Sequence, residues 1–394
     1  MRILFANDGF GDAGGVQVYL DAVMTAFMAR GHELAVAYCS EDGAMASGDG
    51  EAALMSRGLP RFRVAGPGAR AALAAIRAWA PDLCYSHNMD DVDVDRALGA
   101  IAPVVKFMHG YFGTCIGGLK THAFPTPVAC DRVYGAACLA LYFPRRCGQL
   151  NPVAFFRQWR AAESHRDVRD LYSAIVVASE HMRHEFIRSG ANPARVRTNP
   201  LFPTEPVDPV VSPAPAEPHV VFLGRMTALK GGDLLIRAVH HAATRLGRAI
   251  RLTMVGDGPR RTEWEALAAS LALPCTFTGW KNGAERWPLL RGASVVAIPS
   301  VWPEPFGLVG LEAGALGVPA VAVDVGGIGE WLRDGRNGVA VAAPATPHSL
   351  GDALAAVLGD RDRLIALRAG AHQAAREMTL AKHIDRLEAI FAEC

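Results

Sequence analysis

Short β-rich runs alternate with helix-period segments from the first residue to about residue 375, and a proline-thick stretch interrupts them once. That rhythm constrains the fold more than any other feature. Strand, helix, strand in steady succession implies parallel sheets with helices on both faces, and such sheets bind ligands outside the carboxyl ends of their strands. The early strands are expected at 3–8, 33–39, 83–88, 104–110 and 173–179. Between the first two, Val16, Leu20, Val23, Met24, Phe27 and Met28 recur at helical spacing, with Gly31 as the stop.

The interruption, NPLFPTEPVDPVVSPAPAEP at 199–218, has neither helical nor alternating periodicity and reads as an extended linker. With 394 residues the chain exceeds the size at which one core keeps growing, so two domains are expected. The first spans 1–203 and the second 204–377, where the alternation restarts with VVFLGRM and continues through IRLTMVGDGP, CTFTGW, SVVAIPS and VPAVAVDV. A last helix, 378–394, lies beyond the second pattern.

Composition narrows the partner. Charged residues make up 20% of the chain and the formal net charge is +1, so no whole-molecule field grips nucleic acid, and a small-molecule partner is expected. MRILFAND reaches an acidic residue after a brief apolar run, unlike a signal peptide, and no stretch is long and apolar enough to span a bilayer. The expectation is a cytoplasmic protein whose eight cysteines are free thiols or metal ligands.

Several stretches carry chemistry. Gly9-Phe-Gly11-Asp-Ala-Gly14 matches G-x-G-x-x-G after a strand, but Glu41 and Asp42, the nearest acidic residues past the second strand, come late for a ribose partner. What remains is a helix N-terminus at which Gly14 and Gly15 let backbone amides approach an anion. Arg225 and Lys230 sit in a loop after a strand and before a helix, where a forked and a point cation can clamp a diphosphate; two solvated surface charges are the alternative. In VWPEPFGLVGLEAGALG, the amides of Phe306, Gly307 and Leu308 at a helix start lack intrahelical partners. Glu312, one turn after Leu308, can take ribose hydroxyls, and Glu304, before the helix, can meet a sugar attached to the diphosphate. The alternatives are a helix-dipole role for Glu304 and an exposed surface position for Glu312. Base contacts are expected near Gly256 and Trp280; Trp280 can equally be core.

Gly224-Arg225 with Lys230-Gly231, Gly256-Asp-Gly-Pro259, Phe277-Thr-Gly279, Pro299-Ser300, Glu304-Pro-Phe-Gly307, Glu312-Ala313, Gly317-Val-Pro319 and Gly326-Gly327 together resemble family 4 retaining glycosyltransferases of the GT-B fold. The resemblance covers essentially the whole chain and is most specific from 220 to 340. It implies two Rossmann-like, doubly wound parallel-sheet domains facing a cleft, with the last helix crossing back to the first domain. An NDP-sugar donor is implied on the second domain and a sugar, lipid-linked or small-molecule acceptor on the first, with no required metal or other cofactor. By position it implies Arg225 and Lys230 on the diphosphate, Glu312 on the ribose, Glu304 with the Phe306 and Gly307 amides on the donor sugar and phosphate, and Gly14 and Gly15 as an N-terminal glycine pair. His109 corresponds to a cleft histidine near the transferred sugar. Retention of the anomeric configuration is implied as well. Other readings are a sugar-nucleotide epimerase of the same fold, an NAD(P)-dependent oxidoreductase using Gly9 to Gly14, and a non-catalytic nucleotide-sugar binder.

Two regions depart from the pattern. Asn199-Pro-Leu stands where relatives commonly have Asn-Gly-Val. Residues 111–150 gather Cys115, Cys130, Cys138 and Cys147; four thiolates can hold a structural zinc, although the paired C-x-x-C spacing is missing and buried thiols or a disulfide are the alternatives. Downstream, 153–172 interleaves Phe155, Phe156 and Trp159 with Arg157, Arg160, Arg166 and Arg169. Such a helix can lie on an anionic membrane surface, which leaves peripheral contact at the inner membrane face open, or it can turn its aromatics into the core.

Overall fold

The computed structural model describes residues 1–10, 15–40, 58–204, 207, 211, 213–281 and 283–394. The chain folds as two compact units. Unit 1 comprises Met1–Lys120, Arg132–Pro200 and Leu380–Cys394, and unit 2 comprises Thr121–Asp131 and Leu201–Thr379. Both are α/β with a parallel main sheet, as the alternation predicts.

Along the chain the strands are β1 (Arg2–Ala6), β2 (Glu33–Tyr38), β3 (Arg61–Arg63), β4 (Leu83–Ser86) and β5 (Val104–Met108), then a short antiparallel hairpin, β6 (Thr121–His122) and β7 (Val128–Ala129), then β8 (Ala174–Val177) and β9 (Val196–Thr198). All but the hairpin pair in parallel in the order β3-β2-β1-β4-β5-β8-β9. The order reverses at β1 and β4, so the loops leaving β1, β4 and β5 open a crevice at the carboxyl edge of the sheet. The expected strands exist but end earlier than their apolar runs, because the residues beyond, such as His87–Asn88 and His109–Gly110, turn away as loops. Strands β3 and β9 and the hairpin were not expected; each is two or three residues long and shows no periodic signal.

Helix Gly15–Ala29 buries Tyr19, Leu20, Val23, Met24 and Phe27 on the sheet. The terminal helix Leu380–Ala392 buries His383, Ile384, Leu387, Ile390 and Phe391 in the same unit. Phe391 stacks on Phe27 at 5.6 Å and meets Tyr85 edge-on at 5.1 Å. Burying one such ring is worth about 1.5–3 kcal/mol, so this helix is part of the core of unit 1.

Unit 2 continues with β10 (His219–Leu223), β11 (Arg251–Val255), β12 (Cys275–Gly279), β13 (Val295–Ile298), β14 (Ala320–Val323) and β15 (Gly338–Val341), in parallel order β12-β11-β10-β13-β14-β15. Its reversal falls between β10 and β13. The loop after β10 therefore brings Arg225 and Lys230, and the loop after β13 brings Ser300 and Glu304, to one edge of the sheet. Helix Gly232–Leu246 covers β10 through Leu235, Ile236 and Val239, which share a buried cluster with Val220, Phe222, Trp264 and Leu354. Pro347–Leu358 starts from a capping box in which Thr346 and Ser349 satisfy each other's backbone amides.

Candidate functional site

In unit 2, Glu304 is buried, and its Oε1 accepts from Lys230 Nζ at 2.6 Å and from Ser300 Oγ at 2.5 Å. Its other oxygen, Oε2, accepts from no described residue. The Lys230 side chain keeps 29% of its surface and lies 5.4 Å from the Trp302 ring centroid, so the ammonium has donors left over. Glu304 is thus more than a dipole partner for the following helix. Arg225 is exposed, and its side chain bonds to no described residue.

Backbone geometry holds this pair in place. Gly326 has φ +63°, and a Cβ there would fall 2.4 Å from Glu304 O, so only glycine lets the loop carrying Glu304 approach this closely; the next amide, Gly327 N, then donates to Glu304 O at 2.6 Å. Gly307, at φ +76°, turns the chain into helix Leu308–Ala315. The amides of Phe306, Gly307 and Leu308 donate to no described residue, leaving three N–H groups at a positive helix end. The Phe306 ring is buried, and its carbonyl accepts from Trp331 Nε1 at 2.8 Å.

Glu312 is buried rather than on the surface. Its Oε1 accepts from Thr204 Oγ1 at 2.6 Å and from Arg286 Nη2 at 3.1 Å. Arg286 was missed by the sequence reading. It lies on helix Gly283–Arg291 with its guanidinium 4.9 Å from the Trp287 ring, a contact between sequence neighbours, whereas its pairing with Glu312 spans 26 positions and leaves no local trace. Gly256 N donates to Gly279 O at 2.9 Å, and Trp280, next along, is 62% exposed and so no core residue.

In unit 1, His109 follows β5 and faces His87, with His87 Nδ1 and His109 Nε2 3.1 Å apart. Burial first, then the charge of Lys106, pushes His109 down to about 3, and burial pushes His87 well below the ordinary histidine range. Both rings are neutral at physiological pH. Gly15 is the first residue of its helix and has open space around its Cα. Gly14 and the rest of the 11–14 loop lie outside the described residues.

Beneath this histidine pair is a closed network that the sequence reading did not anticipate. Asp95 accepts from Ser86 Oγ at 2.6 Å, Lys106 Nζ at 2.8 Å and Tyr172 Oη at 2.7 Å, and Lys106 also donates to Ser86 at 3.0 Å.

The zinc alternative finds no support in the described geometry. Among the described residues no group of three or more histidine, cysteine or acidic side chains is placed to hold a metal ion, and Cys115, Cys130, Cys138 and Cys147 are in no disulfide. Cys138 and Cys147 instead pack against Ile116, Tyr134 and Tyr142, as small apolar groups do. Phe155 and Trp159, on the Asn151-capped helix Pro152–Asp167, join that cluster, while Val153 and Phe156 stay exposed. Among the described residues no helix is long and apolar enough to cross a membrane.

Residues 13–201 match the family described as Glycosyltransferase Family 4, and residues 217–360 match the family described as Glycosyl transferases group 1. The chain is 38% identical over 224 residues to a D-inositol 3-phosphate glycosyltransferase of Nocardia farcinica, covering 54% of this chain and 47% of that protein. It is also 38% identical over 146 residues to an uncharacterised glycosyltransferase of Methanocaldococcus jannaschii, covering 36% of each. The chain therefore spans about half the length or less of the curated relatives it matches. HepE of Anabaena, solved with UDP, superposes with a TM-score of 0.71 at 18% identity over 100% of both chains. Sucrose-phosphate synthase of Thermosynechococcus elongatus gives 0.70 at 17% identity over 100% of this chain and 98% of the other. At these identities the likeness is one of fold.

Proposed function

Since this chain belongs to glycosyltransferase family 4 and has the GT-B fold, we propose that it transfers a sugar from a nucleoside diphosphate sugar to a hydroxyl of an acceptor, with retention of the anomeric configuration. One observation carries the reading: among the described residues, Glu304 has one oxygen bonded by Lys230 and Ser300 and the other open, next to three amides at a helix start that donate to none of them. A carboxylate held this way orients a sugar hydroxyl, while the ammonium and the amides take the adjoining phosphate.

In this reading Arg225 and Lys230 neutralise the diphosphate, and Glu312, oriented by Thr204 and Arg286, accepts from the ribose. The bond from the sugar C1 to the phosphate oxygen breaks, and a bond from C1 to the acceptor oxygen forms on the same face. The acceptor proton passes to the departing phosphate. Stabilisation of that leaving charge by Arg225, Lys230 and the Phe306–Leu308 amides supplies the catalysis, with no carboxylate nucleophile. His109, held neutral, is a hydrogen-bond partner for the transferred sugar and not a base of ordinary strength. Trp280, exposed beside the Gly256–Gly279 contact, offers a face to the nucleotide base. The neighbours solved with UDP and with UDP-glucose support a uridine nucleotide as donor. The exposed Val153 and Phe156, on the helix that carries Arg157 and Arg160, support contact with an anionic membrane surface.

A thermal-shift panel of UDP, GDP, ADP and dTDP sugars tests the donor site. Stabilisation by one nucleotide family, lost in Arg225→Ala and Lys230→Ala, is expected; equal shifts in wild type and both variants would sink the clamp. Proton NMR of the anomeric signal in the product tests retention. The glycosyltransferase family match favours neither the epimerase nor the oxidoreductase reading.

A further inference from the structure

Unit 1 has a cavity of about 430 Å³ at the carboxyl edge of its sheet, bounded by Asp90, Phe112, the 113–118 loop, Arg157 and His165. A smaller recess lined by His87, Asn88 and Lys106 shares Asp90, Phe112 and His165 with it. The wall is built and anchored. Arg169, itself buried, donates to the carbonyls of Gly113 and Ser189, and Thr114 Oγ1 donates to Tyr111 O at 2.8 Å. These bonds fix the loop that presents Phe112.

Three features of the wall point to a ligand. His165 Nδ1 and His87 Nε2 are buried without a hydrogen-bond partner among the described residues, although native proteins rarely leave such atoms unpaired. The Phe112 ring sits against Gly110 and Gly118, is 41% exposed, and has its centroid 5.6 Å from that of His165. The charge near the recess is negative: Asp90 lines both spaces, and Asp8 is close enough that the Asp90 charge, after burial, raises its carboxyl above the usual range. Of the cations nearby, Arg157 is exposed and lines only the larger space, the Lys106 ammonium is committed to Asp95 and Ser86, and the Arg169 guanidinium to the Gly113 and Ser189 carbonyls.

We propose that this cavity seats an uncharged sugar or cyclitol ring of the acceptor, lying on Phe112, with its hydroxyls bonded by Asp90 and His165 and, where one reaches the adjoining recess, by His87. An aromatic face takes the C–H side of such a ring, and a carboxylate with two imidazoles takes its hydroxyls. Burial holds His165 down to about 4, so its imidazole is neutral and keeps both a donor and an acceptor nitrogen. A phosphate or carboxylate placed on the Asp90 side of the same ring is repelled by that carboxylate. The volume suits a small-molecule site. The inference rests on the transferase reading, since it describes that reaction's acceptor.

Saturation-transfer NMR on the full chain, with glucose and myo-inositol against glucose 6-phosphate and myo-inositol phosphate, tests it. A neutral ring is expected to bind and its phosphate to bind more weakly. Phe112→Ala, a change at an exposed position, is expected to weaken the neutral ring by about tenfold, and His165→Gln by a similar factor. Tighter binding of the phosphate, no binding of either neutral ring, or unchanged binding in Phe112→Ala would overturn the proposal. UDP affinity is measured in parallel. Its absence in wild type would count against the donor reading, whereas UDP binding without ring binding would count against this inference alone.

Discussion

Each unit contains a carboxylate that accepts from a lysine and a serine, and the two differ in what is left over. In unit 1 the Lys106 and Asp95 side chains are 2% and 0% exposed, and Tyr172 adds a third donor to the carboxylate. In unit 2 Lys230 is 29% exposed, and one oxygen of Glu304 is unclaimed by described residues. The first set is closed on itself, with both carboxylate oxygens and two of the three ammonium donors engaged within it. The second is half closed, at a sheet edge where ligands bind. Residue type alone does not separate a structural ion pair from a binding one; the unspent donors and acceptors do.

The contrast breaks most readily at Lys106. Lys106→Met should cost about 3–5 kcal/mol in urea denaturation by stranding Asp95, whereas Lys230→Met should cost less, because its ammonium is partly solvated and Ser300 still donates to Glu304. Equal losses would erase the distinction. Next in size, Lys230→Ala should weaken UDP binding by about 10- to 100-fold in calorimetry, the worth of a charge-assisted contact.

Acid sharpens the comparison further. Burial holds His383 down to about 4, and its Nδ1 lies 2.8 Å from Pro200 O. A folded value below the unfolded one of about 6.5 means that the unfolded chain binds more protons between those limits, so stability is complete above about 6.5 and falls as the pH drops toward 4. The slope should be about 1.4 kcal/mol per pH unit for this residue and should vanish from the difference between wild type and His383→Gln above pH 7. Unit 1, which also holds the depressed His87, His109 and His165, should lose protection in hydrogen exchange at higher pH than unit 2. Smallest of all, Trp280→Ala should move stability by less than about 0.5 kcal/mol, since the ring is exposed, while lowering UDP affinity several-fold if it stacks on the base.

Periodicity made the α/β architecture legible, because parallel strands buried on both faces are continuous apolar runs, as in LCYS and VVKFM. Motif spacing also marked Lys230, Glu304 and the Gly307 turn, which stand close together along the two loops flanking the β10/β13 reversal. The sequence was silent where charge meets charge across distance. Nothing local announces that Lys106 will be buried inside a strand against Asp95, or that Arg286 will reach Glu312. Cysteine clustering was ambiguous for the related reason that nearness in sequence does not by itself make a metal-ligand set.

The backbone passes between units after Lys120, Asp131, Pro200 and Thr379. Dissecting this protein into halves for separate production would therefore fail with a single cut. A fragment stopped at Pro200 would lack the closing segment that brings Phe391 and His383 into its interior and would present a bare apolar groove to solvent, whereas splicing 380–394 back through a short tether should restore it.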